Sequence, residues 1–484
     1  MKKASESNLV RLLFKHKLLL YYIIIFIIFL FFLFISKWYN VDVLIALFLI
    51  IILTYLFCKR SYLFIKYFFS FFYCIFFLTG LFLCNHFNVD LIELGTTSNY
   101  NGSFIIGTFY FLLVFGSLFF FDYYFSKKNK YFLSEKYTRF SKRYGIIIYF
   151  LVFIFGFILF LSVINNPSFI LNVDRFQYNK LFLSSVQLKL QNIFIYFVPL
   201  LIIPMISQKI HKNIIKYCFS IFVSLLPFFL YGFWTGNKFG LFFNILILLL
   251  SPISFYIGKR KLKINKLENI CFNSDEINSS NNIYIKIFCI AVGVILVILI
   301  PYYVLRSMNL KDSLFTRISQ QGQLWWATYD LGKTDDHYEI KDELLPMLDA
   351  LKRKKVRKTY GVYKIMKLTT PIELYNKKIE SGSRYSAQGI EIAYYYFGYP
   401  GVVIHAILRG LIEALLVNLL IKYVMSMRIF ETMFISKLII SCHAIFTQGD
   451  LYIMCTYGTI LCVLGLIIME LIYNKYFVVR YQKV

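Results

Sequence analysis

Arginines set among aromatic residues, where apolar runs give way to polar ones, are the side chains here whose types and spacing could do chemistry. Arg175 lies in the run Val173, Asp174, Arg175, Phe176, Gln177, Tyr178, close to where the chain turns apolar again. A guanidinium at such a level can grip a phosphate through two parallel N–H donors while the rings lie on lipid or sugar faces. The same residues would also serve as an interfacial anchor. A second place is the turn at 232–240, where Gly236 and Gly240 permit a close reversal around one charge, Lys238. It could offer backbone N–H groups to an anion or simply join two helices beside a snorkelling lysine.

The third place is the polar stretch 305–389. Arg306 and Arg317 open it with Gln320, Gln321, Trp325 and Trp326, a mixture of phosphate-gripping and sugar-matching groups. Arg384 closes it, followed by Glu391 and the tyrosine run containing Tyr394. The basic run 352–358 between them reads as a solvated face. Gly398, Pro400 and Gly401 mark a break at which a short helix passes into a membrane span, with Arg384 and Glu391 expected near it, facing the bilayer surface. Beyond the break, His405, Arg409 and Glu413 recur every four residues and share one helix face. Ionisable groups at membrane depth are costly, so they suit either a buried ion pair or a proton relay. His443 and Asp450 approach the same side from the next hairpin. Candidate bases, in order, are Glu391, His337 and Asp450.

Other chemistries have no foothold. Nucleotide-binding glycine loops, a GxSxG elbow and metal-ligand spacing are all missing from the sequence, and Asp90 with Glu93 is a poor substitute for an acidic pair holding a divalent ion. No metal and no cofactor is expected. Seven of the nine cysteines lie within apolar segments and none forms a CxxC pair, which excludes a disulfide framework or zinc site.

The elements that must position these residues are membrane helices. Hydrophobic residues make up 59% of the 484, more than a soluble interior of that size can hold. Apolar runs near 18–35, 43–58, 67–84, 104–121, 145–164, 193–206, 217–233, 239–257, 283–304, 399–421, 432–446 and 452–472 predict about twelve transmembrane helices. The net charge of +27 does not signal a nucleic-acid partner. Lys and Arg crowd alternate connections, such as 127–143 and 259–266, while the others are nearly bare. By the positive-inside rule both termini are cytoplasmic and 305–389 is extracytoplasmic. The expected organisation is an all-α polytopic membrane protein: an N-terminal membrane domain over 1–304, an extracytoplasmic loop domain with short helices over 305–391, and a C-terminal membrane domain over 392–484. The basic start runs into a full-length span without a small-residue cleavage site.

This layout, with the 232–240 hairpin and the 381–410 segment running through Phe397, Gly398, Tyr399, Pro400 and Gly401 into Ala406, Ile407, Leu408, Arg409 and Gly410, resembles the O-antigen and capsular repeat-unit polymerases, the Wzy family. Lys238 stands where that hairpin often carries arginine. The resemblance implies a GT-C-like fold in the bacterial inner membrane and inverting, metal-independent glycosyl transfer. Donor and acceptor would both be undecaprenyl-diphosphate-linked oligosaccharides, with membrane lipid and a chain-length regulator as further partners. Diphosphate contacts would fall to Arg175, Arg317 and Arg384, with Arg306 and Lys238 behind them and Tyr394 on the sugar side. Rival readings are an O-antigen ligase, a lipid-linked oligosaccharide flippase, and a sensor or structural membrane protein. A flippase would be expected to show repeat symmetry and short loops on both sides.

Overall fold

The computed structural model describes residues 41–128, 135–168, 170–171, 175–204, 214–237, 240–261, 310–331 and 341–473. The expected spans at 18–35 and 283–304, and Lys238, Arg306 and His337, lie outside the described residues.

Ten of the expected spans fall on helices. In chain order these are α1 (Val41–Lys66), α2 (Phe68–His86), α3 (Ser103–Lys128), α4 (Glu135–Leu161), the short α5 (Arg175–Leu181), α6 (Ser185–Phe197), α7 (Ile214–Trp234) and α8 (Gly240–Lys261). A 3-10 turn, Val198–Ile202, extends α6. The polar stretch supplies α9 (Leu310–Leu331), α10 (Lys341–Leu351), α11 (Gly361–Thr369) and α12 (Ile372–Ser381). Then come α13 (Ile390–Met425), α14 (Ile429–Gln448), a 3-10 turn Leu451–Cys455 and α15 (Tyr457–Tyr473). Apart from a two-residue antiparallel ribbon pairing Asp90 with Thr97 and Leu91 with Thr96, the regular elements described are helical.

Among the described residues, five segments are long and apolar enough to cross a membrane: Phe68–His86, Ser103–Ser126, Ser185–Ile202, Ile390–Met425 and Ile429–Gln448. Five shorter apolar helices accompany them. Their outward faces identify the solvent they are made for. On α4, Ile147, Phe150, Leu151, Ile154, Phe157, Ile158 and Leu161 are exposed at helical spacing. On α15, Leu461, Leu464, Ile467, Ile468 and Leu471 do the same. A water-soluble helix turns such a stripe inward, whereas here it faces outward, as in lipid. The chain is a helical membrane protein.

Small residues set the closest crossings, as in membrane bundles where van der Waals packing replaces the hydrophobic drive. α9 crosses α2 at Gly80 and Gly322; a Cβ on Gly322 would stand 2.4 Å from the backbone nitrogen of Leu81. α13 lies on α3 at Gly410, where a Cβ would meet the Leu118 nitrogen at 2.7 Å. The first crossing packs part of the polar stretch 305–389 against the helix bundle. α9 is wedged into the bundle, with Trp325 fully buried and its Nε1 donating to the Ser103 carbonyl at 2.9 Å. α10, α11 and α12, with residues 87–102, cap one end of the bundle, the loop end.

α13 breaks where its Gly-x-Pro-Gly sequence places the break. Gly398 adopts φ 60 and ψ −150, outside helical geometry, two residues before Pro400.

Candidate functional site

Arg175 begins α5, which Tyr178 fastens by donating its hydroxyl to the Asn166 carbonyl at 2.7 Å. Ser168 N–H donates to the Trp234 carbonyl at 2.8 Å, tying this segment to the glycine hairpin. The Arg175 Nη1 consequently lies 3.6 Å from where a Cβ on Gly240 would sit, and the Arg175 guanidinium stacks 4.4 Å from the Phe176 ring. The two motifs that sequence spacing left apart, 173–178 and 232–240, form one wall.

The charges of three guanidinium groups act on one pair of rings, Tyr73 and His443. The positive charges of Arg175 and Arg409 both reach Tyr73, and those of Arg409 and Arg384 both reach His443. The Tyr73 and His443 rings are 5.5 Å apart, and Phe69 meets His443 edge-on at 3.9 Å. His443 also borders an internal cavity with Ser70, Cys442 and Glu413.

Arg409 is the most deeply set of the three. It is fully buried; its Nε donates to Glu413 at 2.9 Å, and its Nη1 donates to the Gln388 carbonyl at 3.0 Å and the Tyr110 hydroxyl at 3.2 Å. Nη2 has no hydrogen-bond partner among the described residues. Glu413 is shared with the Ser70 hydroxyl. The spacing of Arg409 and Glu413 therefore does produce the buried pair, aligned with the cavity. His405 joins it through Tyr110, whose hydroxyl is 3.0 Å from His405 Nδ1.

Arg384 and Asp450 form a second pair, Nη1 to Oδ1, at 2.6 Å. Burial pushes the Asp450 carboxyl above its ordinary value, and Arg384 opposes that rise. Gly361 and Gly449, both at positive φ, bring their backbones together beside the pair; a Cβ on Gly449 would lie 3.0 Å from the Gly361 Cα. Glu343, which sequence reasoning did not single out, accepts from the Gly361 N–H and the Tyr396 hydroxyl, each at 2.7 Å.

Glu391 differs from its expected place. Rather than facing the bilayer surface it is fully buried, and its carboxylate accepts the Gln388 N–H at 3.1 Å. That is the reach-back of a carboxylate in a helix first turn, satisfying a donor that α13 would otherwise leave orphaned. Tyr394 sits in an aromatic cluster, with Trp325, Tyr399 and Tyr329 at 5.3, 5.2 and 5.7 Å.

Arg317 stands apart from these three arginines. It lines an open cleft of about 840 Å³ at the loop end, between α5, α9 and α12. Lys180, Lys377 and Lys378 share that cleft. None of these lysines was recognisable from spacing, because the walls come from segments far apart in the chain, 92–93, 177–181, 317–320 and 374–383.

The fold and site thus define a helical membrane protein with arginines gathered at and below one rim. Residues 356–463 match a family of unknown function (DUF6418). The matched stretch contains Arg384, Glu391, His405, Arg409, Glu413, His443 and Asp450. No curated protein and no solved structure matches the chain.

Proposed function

We propose that this protein polymerises undecaprenyl-diphosphate-linked oligosaccharide repeat units into O-antigen or capsular polysaccharide, at the outer face of the bacterial inner membrane. The observation carrying this reading is the seating of Arg175 against the glycine hairpin and of Arg384 on the enclosed Asp450 within a helical membrane bundle. Cations fixed before the reaction stabilise charge that develops only as a diphosphate leaves. In such a transfer the acceptor hydroxyl oxygen bonds to the anomeric carbon as the bond to the diphosphate breaks, inverting that carbon. The hydroxyl proton passes to a base, and the electron pair leaves on the diphosphate without a metal. Asp450, held against Arg384, is the base we favour, because the Glu391 carboxylate is occupied within its own helix. About twelve spans in a GT-C arrangement, with both termini cytoplasmic, belong to the same reading.

The surface glycan of a deletion strain tests it. Anchors bearing a single repeat unit are the expected outcome. Carrier-linked polymer left untransferred would instead mark a ligase, and carrier-linked units accumulating in the cytoplasm a flippase.

A further inference from the structure

The loop-end cleft contains none of Arg175, Arg384 and Arg409, and its chemistry is of a different kind. Its cations come from three elements: Lys180 on α5, Arg317 on α9, and Lys377 with Lys378 on α12. Two carboxylates face them, Glu93 and Glu380. Glu93 is already satisfied, receiving Lys378 Nζ at 2.5 Å and Gln323 Nε2 at 2.5 Å. Lys180, Lys377 and Arg317 have no carboxylate partner within 4.0 Å among the described residues; Arg317 donates only to its own helix neighbour Gln320, at 3.2 Å. The cleft is therefore electropositive, and it is concave, which focuses that potential on whatever enters.

The uncharged lining narrows the ligand. Amides and hydroxyls also line it, Gln177 and Gln320 with Ser381 and Ser383. They match the hydroxyls of a saccharide better than the oxygens of a lone phosphate. Exposed apolar side chains at the rim, Leu181 and Ile92, offer flat contact to sugar C–H faces. About 840 Å³ is the volume of a site for an extended ligand rather than for one anion. Its two unpaired lysines are point charges on flexible stems, suited to carboxylates spaced along a chain and not to a bidentate grip.

We infer that this cleft is a binding subsite for an anionic oligosaccharide, so that the glycan handled by this protein carries carboxylate sugars. The inference rests on the polymerase reading for its biological setting, but the binding itself can be measured without it. The cleft would hold the glycan at a distance from the reacting centre and would rank acidic repeat units above neutral ones.

The test uses the full chain, purified in detergent, with oligogalacturonate as the acidic probe and a malto-oligosaccharide of equal length as the neutral one. The acidic probe should bind about tenfold or more tightly than the neutral one, an advantage that should vanish at about 0.5 M salt. Lys180→Gln with Lys377→Gln should erase the same advantage while leaving the melting temperature unchanged, since both side chains are exposed. Equal binding of the two probes, or acidic binding untouched by the double substitution, overturns the inference. So does a wild-type preference for anionic lipid vesicles with no binding of oligogalacturonate. A deletion strain that still polymerises its glycan would remove the polymerase reading and leave this result standing.

Discussion

Arg384 donates to Asp450 across 2.6 Å, joining the last residues of the loop-end segment to the turn ahead of the final helix. Asp450 is only 2% exposed, whereas Arg384 keeps 28% of its side chain accessible. The carboxylate is thus enclosed by the fold and the arginine stands over it. Such a pair holds α14, α15 and the segment before α13 in one arrangement. It also presents the arginine, with its remaining donors, toward whatever approaches from the loop end.

The pairing makes stability depend on pH in a definite direction. Burial raises the Asp450 carboxyl and Arg384 holds it partly down. In Arg384→Gln that restraint is gone and the carboxyl rises further. A raised value in the folded state means that the protonated form favours folding, an advantage lost as pH climbs through that value. Arg384→Gln should therefore lose melting temperature progressively relative to wild type as pH rises above the ordinary carboxylate range. Near neutral pH the loss should be on the order of 3 kcal/mol. Adding Asp450→Asn should flatten the profile. Thermal unfolding in detergent at a series of pH values measures this, and a gap that narrowed with rising pH would contradict it.

The crossing of α9 over α2 gives a prediction of a purely steric kind. A methyl on Gly322 would meet the Leu81 nitrogen at 2.4 Å and the Gly80 carbonyl carbon at 2.7 Å, and neither backbone atom can rotate away. Gly322→Ala should cost about 1 to 3 kcal/mol and loosen Trp325 in its buried site. The loss should appear as a lower melting temperature together with a red-shifted tryptophan emission. An unchanged emission maximum would mean that α9 is not seated against α2.

Neither of these two contacts is announced by the sequence, and the reason is physical. The break at Gly398 and the Arg409–Glu413 pair were both legible, because a Gly-Pro-Gly cluster and a four-residue spacing act within one helix. Ten helices could be placed from apolar runs, since the length needed to cross a bilayer is set by its thickness. The Arg384–Asp450 pair and the Gly80–Gly322 crossing join segments 66 and 242 residues apart, and no local rule connects them. The buried position of Glu391 is hidden from the sequence for a related reason. Composition alone cannot tell a first-turn carboxylate facing solvent from one turned back onto its own helix.

Arg409 and Glu413 should respond unequally to neutralisation. Glu413 borders the cavity, is 19% exposed and has Ser70 as a second partner, so Glu413→Gln retains a shape-matched acceptor. Arg409 is wholly enclosed, and Glu413 is the carboxylate it pairs with. Arg409→Met removes the cation and leaves the Gln388 carbonyl without that donor, but the remaining carboxylate is part-exposed and keeps Ser70, so the loss should be about 1 to 3 kcal/mol. Glu413→Gln leaves the enclosed Arg409 cation without its carboxylate and should cost about 3 to 5 kcal/mol. Comparing expression and melting temperature of the two variants checks the order, and equal losses would show that the pair acts as a unit instead.

Arg175 offers the sharpest functional prediction, because its geometry separates fork from charge. Its Nη1 lies against Gly240 while its guanidinium plane rests on Phe176, an arrangement that a lysine ammonium cannot reproduce. If a diphosphate leaves at this wall, Arg175→Ala should reduce polymer formation by about 100- to 1000-fold. Arg175→Lys would keep the charge but lose the bidentate grip and should recover only part of that. Lys367→Ala, on an exposed face of α11, serves as the matched control and should leave chain length and amount unchanged. The readout is the length distribution of surface glycan when each variant complements a deletion strain, with membrane levels of the protein equalised. Wild-type polymer from Arg175→Ala would remove this arginine from the reaction, and full rescue by Arg175→Lys would reduce its part to that of a simple positive charge.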